Sequence, residues 1–260
     1  MFRPKTDKIK ILSEFYPEVI KELEDVFKDK TNVYIDFANV LGWQDRLMWY
    51  IDLRRLKQLL DSFDTINDIK FYYGILKGDS HSENIKHDVE KYGYNLKTKP
   101  VKILRLSIDV SSIPANSPTL LEGFIRKPLL SKFNLETVEY LNNALKKLNG
   151  QGIKYIEDKK CNFDVELGRD MLLDYKEKDV KNFNLWSGDS DFADPIKQLI
   201  ENDKRVIIFC TARRLSSELN EIGARVFEIK KIKEFICWQK DLPQELNDRI
   251  KSQKDSRKSP

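Results

Sequence analysis

Short apolar runs alternate with helix-length amphipathic stretches along most of the chain, and this alternation limits the folds open to it. Asn32 to Phe37, Ile69 to Leu76, Asn184 to Ser187 and Arg205 to Cys210 have the length and composition of strands. The last, with Val206-Ile207-Ile208-Phe209 at its centre, is apolar on both faces, as strands of a parallel sheet covered by helices are. The stretches between carry apolar residues at helical spacing. Phe15, Val19, Leu23, Val26 and Phe27 predict a helix over 13–29 with Ser13 as its cap; Leu53, Leu56, Leu59 and Leu60 predict one over 52–63. Strands alternating with helices predict an α/β fold with a central parallel sheet flanked by helices.

Further helices are predicted over 82–92, 135–148, 164–175, 194–201 and 216–222, a third strand over 101–110 and a last one over 225–229. Pro114, Pro118 and Pro128 mark residues 111–133 as a loop or inserted excursion. The run from about 241 to 260 is polar, with Arg249, Lys251, Lys254, Arg257 and Lys258, and reads as a frayed helix or a disordered tail.

Four aspartates in three separate segments carry the chemistry. Asp36 follows Val33-Tyr34-Ile35, Asp164 opens the helix expected over 164–175, and Asp189 and Asp191 follow Leu185-Trp186 in a Gly-containing turn. In a parallel α/β sheet, ligands sit outside the carboxyl ends of the strands, where Asp36 and Asp189 both fall. A carboxylate at the end of an apolar strand is costly unless it is compensated. Hard cations such as Mg²⁺ take oxygen ligands, so carboxylates converging on one point suit them. Each acid also has a plainer reading: Asp36 as the cap of a following turn, Asp164 as a helix N-cap, Asp189 and Asp191 as turn-forming residues. Asp170 is the second-tier ligand, since six residues along a regular helix it does not share the face of Asp164. Asn39 can orient Asp36, contact substrate, or serve only the turn.

Composition narrows the alternatives. Three cysteines, Cys161, Cys210 and Cys237, are far apart and only two histidines are present, so a structural zinc site is not expected. Reduced thiols fit a cytoplasmic protein. No run reaches the length of a membrane span. A formal net charge of +4 is only mildly basic.

Asp36-x-x-Asn39 at the end of the first strand, Lys160 followed by Asp164-Val165 and Asp170, and Ser187-Gly188-Asp189-Ser190-Asp191-Phe192 together resemble the NYN domain, a family of PIN-like nucleases. Pro195 to Ile200 and Arg205 to Ile208 match it too, and the likeness spans about residues 31–236. It implies a PIN-like, Rossmann-like three-layer sandwich, with residues 1–30 as a helical extension, an insertion at about 109–150 and 237–260 as a polar basic tail. It also implies a metal-dependent ribonuclease that holds Mg²⁺ or Mn²⁺ with Asp36, Asp164, Asp189 and Asp191, assisted by Asn39, and leaves 5′-phosphate and 3′-hydroxyl ends.

The expected partner is RNA, single-stranded, met by Arg213, Arg214, Lys160, Lys99 and Ser187. Lys97 and Lys102 around Pro100, and Lys159, are further cations for a phosphate backbone, with solvated surface as the plainer reading. Trp43, Trp49 and Tyr50 suit base stacking or core packing alike. Two other functions match parts of this pattern. One is an RNA-binding or scaffold module without catalysis. The other is a haloacid-dehalogenase-like phosphatase, which needs an acid two residues after Asp36, where this chain has Ala38.

Overall fold

The computed structural model describes residues 1–177, 179–211 and 215–256. The chain divides into two units, one of residues 1–100 with 162–260, the other of residues 101–161.

The first unit opens with α1 (Asp7–Phe15) and α2 (Pro17–Val26). Sequence periodicity predicted one helix over 13–29. Pro17 divides it, because proline lacks an N–H and disfavours helical backbone in the residue before it, yet suits the first turn of a new helix. Thr6, not Ser13, caps α1 by accepting from the Ile9 N–H at 3.3 Å. Then follow β1 (Thr31–Asp36), α3 (Phe37–Leu47), α4 (Leu53–Leu60), β2 (Ile66–Ile75), α5 (Ser80–Lys91) and β3 (Asn95–Pro100).

The second unit holds β4 (Lys102–Ser107), α6 (Lys127–Leu130), α7 (Leu135–Gly150) and β5 (Tyr155–Lys160). β4 and β5 pair antiparallel, Lys102 opposite Lys160 and Ser107 opposite Tyr155. A small core of Leu121, Leu130 and Val138 lies beneath α7. Asn142 donates to the carbonyls of Ala115 and Ser117, and so secures the proline-containing excursion.

The chain then returns to the first unit with α8 (Asp164–Glu177), β6 (Asn182–Trp186), α9 (Ala193–Glu201), β7 (Arg205–Cys210), α10 (Ser217–Glu221), β8 (Arg225–Glu228), α11 (Lys233–Ile236) and α12 (Gln244–Ser256). Among the described residues, six strands form an all-parallel sheet in the order β3-β2-β1-β6-β7-β8.

The strand predicted over 101–110 is two different things. The third strand of the sheet is β3, and the apolar pattern of Val101 to Leu106 belongs to β4 in the other unit. β3 reads Asn-Leu-Lys-Thr-Lys-Pro because it lies at the sheet edge, where lysines and a terminal proline are tolerated. At the carboxyl end, Leu246 and Ile250 of α12 are buried, so residues 244–256 are an ordered helix of the first unit.

The pleat of the sheet sends alternate side chains to opposite faces. On one face, Trp186 stacks on Phe209, which packs against Phe27 at the end of α2 and Phe227 of β8. Phe37 of α3 packs on Phe71 of β2 on that same face. On the other face lie Asn32, Tyr34 and Asp36 of β1 and Lys70 and Tyr72 of β2. This face is covered by α8, whose buried Asp174 accepts from Asn32 Nδ2 and Tyr34 OH, each at 2.7 Å, and pairs with Lys70 Nζ at 2.6 Å. Gly168 of α8 faces Pro195 of α9: a Cβ there would meet the Pro195 ring at 3.4 Å, an ordinary contact distance. Among the described residues, no helix is long and apolar enough to cross a membrane.

Candidate metal centre

The register places the acids. Ile35 of β1 pairs with Trp186 of β6, so the next residues, Asp36 and Ser187, leave the adjacent strand ends side by side on the face beneath α8. Ser187 Oγ donates to Asp36 Oδ2 at 3.1 Å. The backbone N–H of Asn39 donates to Asp36 Oδ1 at 3.3 Å, so Asp36 also caps α3. The cap and the Ser187 bond engage different oxygens of Asp36, so both are made at once.

Asn39 acts through its side-chain carbonyl. It accepts from Trp43 Nε1 at 2.8 Å and from the Gly188 N–H at 3.4 Å, which ties the loop after β6 to α3. Asp189 then accepts from the Asp191 N–H at 3.3 Å and opens the short helical turn that leads into α9. On the other side, Asn162 Oδ1 accepts from the Asp164 N–H at 3.0 Å. Asn162 thus takes the capping part considered for Asp164.

Asp164, Asp189 and Asp191 come together: one carboxylate oxygen from each lies within 4.8 Å of the others. Asp36 borders this trio, close enough that its charge raises the pKa of Asp164 and that of Asp189 raises its own. Burial is the main cause of the upward shift at Asp36, opposed by its bonds from Asn39 and Ser187. Asp164 is pushed up to about 6, first by burial, then by Asp191, Asp189 and Asp36. Like charges held this close resist common ionisation, and a divalent cation relieves the repulsion. The donors are all oxygens, without histidine or thiolate, a set that suits Mg²⁺ or Mn²⁺.

Asp170 is differently occupied. Its carboxylate accepts from Tyr72 OH at 2.9 Å, pairs with Arg169 at 3.2 Å and stands 3.9 Å from Lys70 Nζ, outside the trio. One helical turn from Asp174, it belongs to the network that fastens α8 to the sheet.

The residues expected to meet RNA are placed variously. Lys99, at the end of β3, pairs with Glu166 at 2.6 Å and lies 4.6 Å over the ring of Phe163, which puts it beside the first turn of α8 and Asp164. Ser187 is fully buried with its hydroxyl committed to Asp36, so it serves the carboxylate and not a phosphate. Lys160 belongs to the second unit, opposite Lys102 in the β4–β5 ribbon. Arg213 and Arg214 lie outside the described residues. Trp43 and Trp49 are core residues, whereas Tyr50 is exposed and stacks on Trp238. The polar ties of Asn162 and the Lys70–Asp174 pair had no motif to reveal them; a lysine inside an otherwise apolar strand was the one available signal.

A family model described as the NYN domain matches residues 130–229, which include Asp164, Asp170, Asp189 and Asp191. Asp36 and Asn39 precede the matched region and join it through the β1–β6 pairing and the Gly188 bond. No curated protein matches the chain. A crystal structure of a protein of unknown function from Vibrio parahaemolyticus superposes with a TM-score of 0.49 at 15% identity, over 80% of this chain and 96% of that one.

Proposed function

We propose that this chain, which carries an NYN domain over residues 130–229, is a divalent-metal-dependent ribonuclease acting on single-stranded RNA in a cytoplasmic setting. The observation that carries this reading is the convergence of Asp164, Asp189 and Asp191 within 4.8 Å, with Asp36 at its border, outside the carboxyl ends of β1 and β6. The four carboxylates are the residues that would hold Mg²⁺ or Mn²⁺. When bound, such an ion activates water and neutralises charge on the attacked phosphodiester.

The protein's part is positioning. Ser187 and the Asn39 N–H fix the two oxygens of Asp36. The Asn39 carbonyl holds the loop that carries Asp189 and Asp191 against the end of β1. The buried contacts of Asp174 with Lys70, Tyr34 and Asn32 fasten α8, so that its first residue, Asp164, faces that loop. Lys99 stands beside this turn as a cation for the RNA backbone, which carries orientation and not sequence.

The test is cleavage of a 3′-labelled single-stranded RNA by purified protein with Mn²⁺ or Mg²⁺. Cutting that stops with EDTA, leaves 5′-phosphate ends and is lost in Asp189→Asn is the expected result. RNA binding without cleavage under any divalent ion, or cleavage indifferent to EDTA and to Asp189→Asn, overturns the reading.

A further inference from the structure

We propose that Tyr50 and Trp238 form a stacking platform for an unpaired base of single-stranded RNA. The proposal deepens the ribonuclease reading and rests on it. Three of the four tryptophans, Trp43, Trp49 and Trp186, are buried, but Trp238 is 43% exposed and Tyr50 39% exposed. Their rings stack on each other with centroids 5.1 Å apart. Large aromatic rings left half in water on a soluble surface lose the stabilisation that burial would provide, and they are characteristic of sites that bury them against a ligand.

The platform is held rigidly. The Trp238 N–H donates to the Tyr50 carbonyl at 2.9 Å, the Tyr50 N–H to Asp241 Oδ2 at 3.1 Å, and Ile51 forms an antiparallel bridge with Cys237. A preformed surface of this kind loses little freedom on binding.

The surroundings choose the ligand. The rings flank a cavity of about 390 Å³ whose apolar wall includes Phe37 and Leu41 of α3 and whose polar rim includes Asp52 and Asp88. That volume lies in the range of small-ligand sites, roughly 300–1,000 Å³. Carboxylates accept the N–H groups that a base edge presents; an acyl chain has no such donors, and the prolines of a proline-rich peptide lack theirs. Lys240 Nζ lies over both rings, 5.2 Å from the Tyr50 centroid and 4.8 Å from that of Trp238; displaced from the ring face by a stacking base, it is a cation at hand for the adjoining phosphate. The same helix links platform and acids: Phe37 and Leu41 line the cavity, while Asn39 holds the loop leading to Asp189.

Because the other tryptophans are buried, quenching of the exposed emission reports on Trp238. The experiment titrates wild-type protein in EDTA with a six-nucleotide single-stranded oligoadenylate and, separately, with AMP and with a proline-rich peptide. Binding of the labelled oligomer to Trp238→Ala, Trp238→Phe and Tyr50→Ala, each checked by its melting curve, is followed by anisotropy. Saturable quenching by the oligomer is expected, with affinity about tenfold weaker in Trp238→Ala, as loss of one stacked base predicts, and nearly retained in Trp238→Phe. An oligomer that binds without quenching and is insensitive to all three variants overturns the platform, and Mn²⁺-dependent cleavage measured on the same proteins shows whether the ribonuclease reading survives. Quenching by AMP as tight as by the oligomer makes it a free-nucleotide site, and quenching by the peptide alone a protein-docking site; either result overturns the proposal. Neither binding nor cleavage of RNA sinks both readings together.

Discussion

Ser187 Oγ donates to Asp36 Oδ2 at 3.1 Å across the paired ends of β1 and β6. The bond joins two residues 151 positions apart, and through it the first acidic segment is registered against the last. It also makes Asp36 a sound place to test chemistry without disturbing the fold.

In Asp36→Asn the amide oxygen keeps the bond from the Asn39 N–H and the new NH₂ meets a Ser187 hydroxyl able to accept. Burial and the charge of Asp189 both oppose ionisation of Asp36, so its neutral replacement should melt no lower than wild type in the absence of metal. Cleavage should fall by about two orders of magnitude or more, the scale of a lost transition-state electrostatic contact. An unchanged rate would show that Asp36 is only the cap of α3.

Metal binding should titrate with Asp164. Its pKa is raised to about 6 from the ordinary 3.8, so the folded, metal-free protein holds this proton more tightly than the unfolded chain. Stability of that form is therefore expected to decline as pH rises between about 4 and 6. Metal needs the ionised carboxylate. Mn²⁺ should raise the melting temperature at pH 7.5 and lose this effect below about pH 6, as read by thermal scans at each pH with and without the ion.

Lys70 and Asp174 form a buried pair, their side chains 5% and 2% exposed. Lys70→Met strands the Asp174 charge inside the protein and should cost about 3–5 kcal/mol in denaturant unfolding. Lys70→Met with Asp174→Asn removes that charge and should be less destabilised than Lys70→Met alone. A single variant as stable as wild type would mean that the pair contributes nothing to seating α8.

Glu166 pairs with Lys99, the cation proposed above for the RNA backbone. The pair is about one third exposed, and such contacts contribute up to about 1 kcal/mol. Glu166→Gln should free Lys99 and tighten RNA binding about two- to fivefold at low salt, with the gain shrinking as salt is added. Identical affinities at low salt would remove Lys99 from the RNA path.

Local sequence determined the parallel α/β class and most of its elements, because burial on both faces demands continuous apolar strands such as Arg205 to Cys210 and one-sided burial demands helical spacing. It also marked the acids, since a carboxylate ending an apolar strand is conspicuous. Elements with little burial to enforce a pattern escaped it: β3 at the sheet edge and the exposed, charged β5. Only the tertiary structure decided which acids converge. The register of β1 on β6 set Asp36 beside Ser187, and the Lys70–Asp174 anchor presents the first turn of α8 to the Asp189 loop. Asp164 and Asp170 share one helix and one chemistry, yet the first faces the trio while the second is drawn to Tyr72 and Lys70, a distinction made by contacts remote in sequence.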